Sequence, residues 1–470
     1  MSGEAPDDGR QRENPDEGRH GDGPGGVRQG EGPDGVQHGD GPGDAARESP
    51  ARWVMMALGL SAWAVGATAI YQLSLLLPAL RSERDLALST GGLLVGLSNC
   101  GLAVGLLGWG IAADRFGERA VMAWGLLLCG LSVVGASLAG NLILLGFFLA
   151  LVGLTAGSVY APSARLVMGW FPARQRGLAM SITQTSTPLS AALAAALLPG
   201  FADTHGFRAA FVIMGGCCLV VALLVALFVR GAPPRDEEAT ETAATDGSDG
   251  TDRTAKLSAE TRQRSALRRM YGVSVLLFLP QITLMTFTVS YLVDAQGWST
   301  SSAGQAMSVA LLLTVVTRPI VGHRSDRIGR RLGLMRGIAV VNVAVMAALI
   351  VCAAVGTRLG SAVVLLAVTS LITGSGLIAT TVAEFAKGER RGRALGVQNT
   401  LQNGTGVVAP AVLGGAIGVG GYATGFALIA VGPLLAAFLI PVAAERAAGA
   451  AKEAAPRTPP PPADRPRTAP

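Results

Sequence analysis

Charge is scarce in this chain: Asp, Glu, Lys and Arg make up 15% of 470 residues, against about 25% in an ordinary soluble domain. Aromatic residues amount to 5%, and there are 4 histidines and 5 cysteines. The lack of charge excludes a soluble globular chain, because long stretches carry none. The lack of aromatics argues against a nucleic-acid surface, although the net charge is +6 and the isoelectric point is near 9.4. Cys100, Cys129, Cys217, Cys218 and Cys352 all fall in apolar stretches without metal-ligand spacing. They read as small buried apolar residues, with no disulfide framework and no zinc site. A phosphate-cradling loop followed by Lys and Ser or Thr is absent, as is any cluster of His, Asp and Ser marking a catalytic centre. Neither an enzyme nor a metal or cofactor is expected.

What the chain has instead is apolar length. Half of its side chains are hydrophobic and the mean hydropathy is +0.44. Windows of about 20 apolar residues mark membrane spans, and twelve occur: 53–80, 90–112, 120–138, 143–168, 178–199, 209–229, 270–293, 300–322, 332–354, 360–384, 394–416 and 422–441. The expected fold class is an all-α membrane protein of twelve transmembrane helices in two parallel six-helix halves. The first run is too long for the core of a cleaved signal peptide. Basic residues gather in the even-numbered turns, at Arg115 and Arg119, Arg174 and Arg176, Arg262 to Arg269, Arg324 to Arg331, and Lys387 to Arg393. The positive-inside rule then puts both termini in the cytoplasm. Arg81, Arg84, Arg208 and Arg358 are the exceptions, the first two offset in sequence by Glu83 and Asp85.

Composition divides the chain into a disordered cytoplasmic tail (1–50), a first six-helix bundle (51–230), a cytoplasmic linker (231–268), a second bundle (269–443) and a Pro-rich disordered tail (444–470). The first tail repeats the phrase His Gly Asp Gly Pro Gly at His20 and His38. Such polar, low-complexity sequence cannot bury enough apolar surface to fold, so the histidines read as solvated.

One loop occurs twice. Gly322 to Arg331 reads Gly His Arg Ser Asp Arg Ile Gly Arg Arg, and Gly110 to Arg119 reads Gly Ile Ala Ala Asp Arg Phe Gly Glu Arg. Asp114 and Asp326 lie 212 residues apart, and a second matched loop pair, aligned on Arg176 and Arg391, is 215 apart. One offset shared by two loop pairs indicates duplicated halves, with a solute site between them. The motif resembles that of the major facilitator superfamily: Gly, three residues, Asp, Arg, any residue, Gly, Arg, then Arg or Lys, between spans 2 and 3 and again between spans 8 and 9. The resemblance runs from about residue 53 to 441, and the first copy departs from it at Glu118, where a basic residue is usual.

The resemblance implies a secondary carrier working by alternating access, with this loop as a gate. Gly110 and Gly322 then serve close approach of crossing spans, and Gly117 and Gly329 the turn. Asp114 and Asp326 supply carboxylates to neighbouring cations or helix ends, with Arg115, Arg119, Arg327, Arg330 and Arg331 as the basic partners.

The resemblance also makes spans 1, 2, 4, 5, 7, 8, 10 and 11 line a cavity. Polar residues near mid-span sort in broadly that way: Asn99, Tyr160, Gln184, Gln281, Asn399, Gln402 and Asn403. Polar groups in hydrocarbon must face protein or water, though each of these equally suits an interhelical hydrogen bond. Arg165 and Arg318 lie about a turn inside the cytoplasmic boundary, where a cation marks either an anionic solute or pairing and snorkelling. No Asp or Glu stands at mid-span, so the usual intramembrane carboxylate for proton coupling is missing. Leu149 replaces the span 4 Arg of proton-linked drug exporters, and Thr187, Pro188, Ala191 and Ala192 depart from their Gly-Pro-Gly-Gly pattern. The run from Trp170 Phe171 Pro172 to Arg176 Gly177 Leu178 Ala179 resembles the branch of monocarboxylate and other organic-anion carriers. The expectation is a monomeric plasma-membrane carrier of a small organic solute, anionic in the favoured reading, with a coupling proton or other ion left open and no nucleic-acid partner. Multidrug or metabolite efflux by proton antiport is the alternative, and a membrane solute sensor a distant one.

Overall fold

The structure, a computed structural model, describes residues 50–172, 175–230, 253–328, 331–386 and 390–442. Both tails and the linker before residue 253 lie outside them. Ten α-helices follow in order: α1 Ala51–Arg84, α2 Leu88–Leu138, α3 Leu142–Ala156, α4 Tyr160–Trp170, α5 Arg176–Phe228, α6 Arg253–Asp294, α7 Thr300–Ile328, α8 Arg331–Val355, α9 Leu359–Phe385 and α10 Arg390–Leu439. No strand occurs among the described residues, as expected where each backbone polar group must be satisfied within its own helix.

The helices do not map singly onto spans. A 3-10 turn, Gly157–Val159, joins α3 to α4 as one crossing. Among the described residues ten stretches are long and apolar enough to cross a membrane. Two of these, Thr185–Phe228 and Arg393–Leu439, run for 44 and 47 residues, or about 65 to 70 Å of helix at 1.5 Å per residue, roughly twice a 30 Å hydrocarbon core. Each turns back at a glycine with non-helical torsions, φ 82° and ψ 160° at Gly206 and φ 76° and ψ 174° at Gly421. Gly117 makes the same break inside α2, with φ 79° and ψ 162°. That region of backbone space is essentially open to glycine alone. Read this way, α2, α5 and α10 are helical hairpins, and the fold accommodates the twelve expected passes.

The linker expected over 231–268 gives way to helix at Arg253. Residues 253–269 contain neither Gly nor Pro and are rich in Ala, Leu, Glu, Gln, Lys and Arg, which favour helix without help from packing.

The surface inverts the rule for soluble proteins. Ile143, Leu138, Trp124 and Phe438 are exposed, whereas Gln72, Thr286 and Ser290 are fully buried. An apolar exterior over a partly polar interior is what a lipid solvent selects. Within the first half α1 packs on α5, and in the second α6 packs on α10 in the same way. The halves meet along two seams, α2 with α10 and α5 with α7. Each seam pairs a span with the duplicate of its counterpart in the other, as a pseudo-two-fold relation requires.

Candidate solute pathway

The repeated loops lie at one end of the bundle, called here the motif end; the opposite end is the distal end. At the distal end the halves touch backbone to backbone. A Cβ built on Gly92 of α2 would fall 2.0 Å from the Pro410 carbonyl oxygen of α10, and one on Gly304 of α7 would fall 2.4 Å from the Ala195 oxygen of α5. Only glycine permits such approach. Polar contacts complete the closure. Arg81, at the end of α1, pairs with Asp294, at the end of α6, at 2.5 Å, and the Tyr422 hydroxyl donates to the same carboxylate oxygen at 2.9 Å. Asp203 accepts from the Ser301 backbone N–H at 3.2 Å. A cavity of about 500 Å³ lies here, lined in part by Arg81, Glu83, Asp85, Asp203 and Asp294.

The acids that balance Arg81 and Arg84 in the charge count are not their partners. Glu83 instead accepts from the Phe207 backbone N–H at 3.0 Å, just past the break at Gly206. Arg84 donates to the Ala139 carbonyl at 2.6 Å and lies over the Phe207 ring. Asp85 ends α1 in the left-handed region, at φ 50°.

In the middle of the bundle, Trp63 of α1 donates its indole N–H to Thr187 of α5 at 2.8 Å and meets Tyr160 edge-on, ring centroids 5.0 Å apart. Tyr160, Tyr71 and Arg318 are half-buried. Arg318 of α7 is within electrostatic reach of Tyr71 of α1, and Tyr71 of Tyr160. A guanidinium of one half thus lies within electrostatic reach of one tyrosine of the other. Gln72 is fully buried with neither amide atom hydrogen-bonded, and the Gln281 amide oxygen also lacks a partner.

The other cavity candidates divide. Asn99 is buried, donates to the Val95 carbonyl at 3.0 Å and packs against Gly406 across the α2/α10 seam. Asn403 is half-buried and Asn399 exposed. Gln402 donates to Ser274 of α6 at 3.0 Å, an interhelical bond inside the second half. The Gln184 side chain lies outside the described residues. Of the cysteines, Cys129 and Cys218 are buried, but Cys100 and Cys217 are exposed, so the small-buried-residue reading fails for those two.

At the motif end the first loop is a charge cluster. Arg165 of α4 bonds Asp114 and lies 3.7 Å from the Glu118 carboxylate, so in this conformation its charge is paired with the loop. Arg119 donates to the Ala226 carbonyl in the last turn of α5 at 3.0 Å, where a cation also meets the negative end of the helix dipole. Arg115 lies over the neighbouring Phe116 ring. Gly117 makes the expected turn. A Cβ on Gly110 or Gly322 would meet nothing within 4 Å, so the close approach expected of them is absent from this conformation. Of the second copy, Arg327 is exposed and Arg331 half-buried, while the Asp326 side chain, Gly329 and Arg330 lie outside the described residues.

Sequence reasoning passed over Trp63, Tyr71 and Gln72, all in span 1. An amide in the middle of an apolar run was the available signal for Gln72. The pairing of Arg81 with Asp294 had none, because it joins residues at the ends of different halves.

A family model described as Major Facilitator Superfamily matches residues 54–410, with a second match over 283–468. An uncharacterised MFS-type transporter of Mycobacterium tuberculosis, Rv2994, is 35% identical over 83% of this chain and 85% of its own length. A probable sulfoacetate transporter of Cupriavidus necator, SauU, is 27% identical over 79% of this chain and 89% of its own. The hexuronate transporter of Bacillus subtilis is 24% identical over 77% and 86%. Among solved structures, a bacterial homologue of the human lysosomal transporter Spinster, in an inward-facing and occupied conformation, superposes with a TM-score of 0.69 at 15% identity, covering 84% of this chain and 97% of that one. At that identity the likeness is one of fold.

Proposed function

The chain belongs to the major facilitator superfamily, and on that premise we propose that it carries a small organic anion, such as a carboxylate, across the cell membrane by alternating access. The observation that carries this reading is Arg318, half-buried and turned toward Tyr71 of the opposite half. A cation within a span is costly unless it faces the bundle interior or water. A planar guanidinium near a phenolic hydroxyl matches the two oxygens of a carboxylate. Its counterpart Arg165 is neutralised by Asp114 and Glu118, and among the described side chains no Asp or Glu stands at mid-span to repel an anion. Two relatives, named for sulfoacetate and hexuronate, point to the same chemical class.

With the basic loops cytoplasmic, the closed distal end is the outer one, and this conformation faces inward. The distal contacts act as the outer gate and the loop around Asp114 as part of the inner one. The protein works as a monomer, with the solute pathway between its own halves.

Uptake into proteoliposomes across a panel of carboxylates, sugars and cationic dyes tests the reading, with and without an imposed pH gradient. At least one carboxylate is expected to accumulate, at least ten-fold more slowly in Arg318→Gln than in wild type, with partial recovery in Arg318→Lys. Accumulation of dyes alone, driven by the gradient, overturns it in favour of drug antiport.

A further inference from the structure

One face of α7 carries two kinds of side chain in series. Val309, Leu312, Leu313, Val316 and Ile320 are each 43% to 58% exposed, and His323, Arg324 and Arg327 follow, also exposed. At 100° per residue all eight fall within about 60° of one line along the helix, and Arg318 lies about 180° away. Arg318 faces Tyr71 and the interior. Ala303, Met307, Ala310 and Leu311 are buried, and Thr317 bonds Thr373 of α9 at 2.7 Å. The eight residues therefore face away from the bundle, toward lipid.

Two depressions mark this face. One, of about 590 Å³, is lined by Pro319, Ile320, His323, Arg324 and Arg327. The other, of about 450 Å³, lies between α7 and α9 and shares Val309 and Leu313 with the stripe, closed by Leu365 and Leu366. From Val309 to Ile320 the helix rises about 16 Å, the depth of one leaflet of a core about 30 Å thick. The cations begin where that leaflet ends. Basic loops alone satisfy the positive-inside rule; they do not require an apolar groove in register beneath the charges.

We propose that this face of α7 binds one anionic phospholipid, its phosphate held by Arg324 and Arg327 with His323 beside them, and one acyl chain laid along the stripe into the α7/α9 groove. Arginine pairs with phosphate through two parallel N–H donors, and basic pockets at the cytoplasmic ends of spans recognise anionic headgroups. Arg324 and Arg327 belong to the second copy of the repeated loop, so a bound lipid touches the gate itself. The first copy has no equivalent, because Ile111 and Ala112 stand where the second has His323 and Arg324.

Native mass spectrometry of the full chain, released from nanodiscs of equal phosphatidylglycerol and phosphatidylcholine, tests this independently of any solute. Wild type is expected to retain phosphatidylglycerol over phosphatidylcholine. The variant with His323→Ala, Arg324→Ala and Arg327→Ala should lose at least ten-fold of that retention. Arg324→Lys with Arg327→Lys, which keeps the charge, should lose about two- to three-fold. Arg264→Ala, Arg268→Ala and Arg269→Ala together, an equal or larger change of charge on α6, should retain the lipid. Millimolar glycerol 3-phosphate should leave retention unchanged. Equal retention by wild type and the α7 triple variant, equal loss in the α6 triple variant, or displacement by soluble glycerol 3-phosphate each overturns the proposal, the last in favour of a free-phosphate site.

Discussion

The two ends of the bundle are closed by different means. At the distal end, glycines let carbonyls of the opposite half come within van der Waals contact at Gly92 and Gly304, and charges cross between halves only on top of that seal. At the motif end the first loop's charges are held within the first half, Arg165 by Asp114 and Glu118 and Arg119 by Ala226, and the glycines at 110, 322 and 396 face open space. Close packing thus decides whether an end is shut, and the charge clusters set how its loops are held. In the proposed alternating cycle the unoccupied glycines of the motif end would be the space into which the other half closes.

The largest effects follow from filling those spaces. Gly92→Leu and Gly396→Leu are both expected to reduce uptake to background while the protein inserts normally. They should do so from opposite sides: a cysteine placed at Ser82, with the 5 native cysteines replaced by alanine, becomes more reactive to an impermeant thiol reagent in the first and less in the second. Equal reactivity breaks the comparison. Next is the distal ion pair. Arg81→Ala or Asp294→Ala should raise labelling at Ser82 about two- to five-fold, and exchanging the two residues should restore most of the difference, as a direct pair requires. At the motif end, Asp114→Asn alone leaves Glu118 on Arg165 and should change uptake by about two-fold or less. Adding Glu118→Gln strands a half-buried guanidinium, and a loss of five-fold or more is expected, well beyond the product of the single effects. Tyr422→Phe is the mildest change, removing one hydrogen bond worth about 0.5 kcal/mol, and should raise labelling about two-fold.

The architecture was legible because lipid imposes a strong pattern: apolar length, basic turns and a repeated loop need no tertiary context. The turn at Gly117 was readable for the same local reason, and Gly206 and Gly421 repeat it without a motif around them. The sites were less legible. Arg165 and Arg318 look alike along the chain, each a cation near a span end, and only the fold separates them by bringing two carboxylates to one and a tyrosine of the other half to the other. Glu118 reads as a defect of the motif until its contact with Arg165 is seen. Gly110 and Gly322 were assigned a contact that depends on which end is shut, a property that one sequence holds for both states at once.

The Arg81–Asp294 pair bears on the resting conformation. Its side chains keep 24% and 34% of their exposure, and a pair so wetted contributes up to about 1 kcal/mol, or a five-fold bias in population. A ten-fold difference in solute concentration across a membrane corresponds to about 1.4 kcal/mol. A modest gradient therefore outweighs the latch. In the proposed cycle the ion pair biases where the empty carrier waits and, being remade in every turnover, contributes nothing to the net direction of transport.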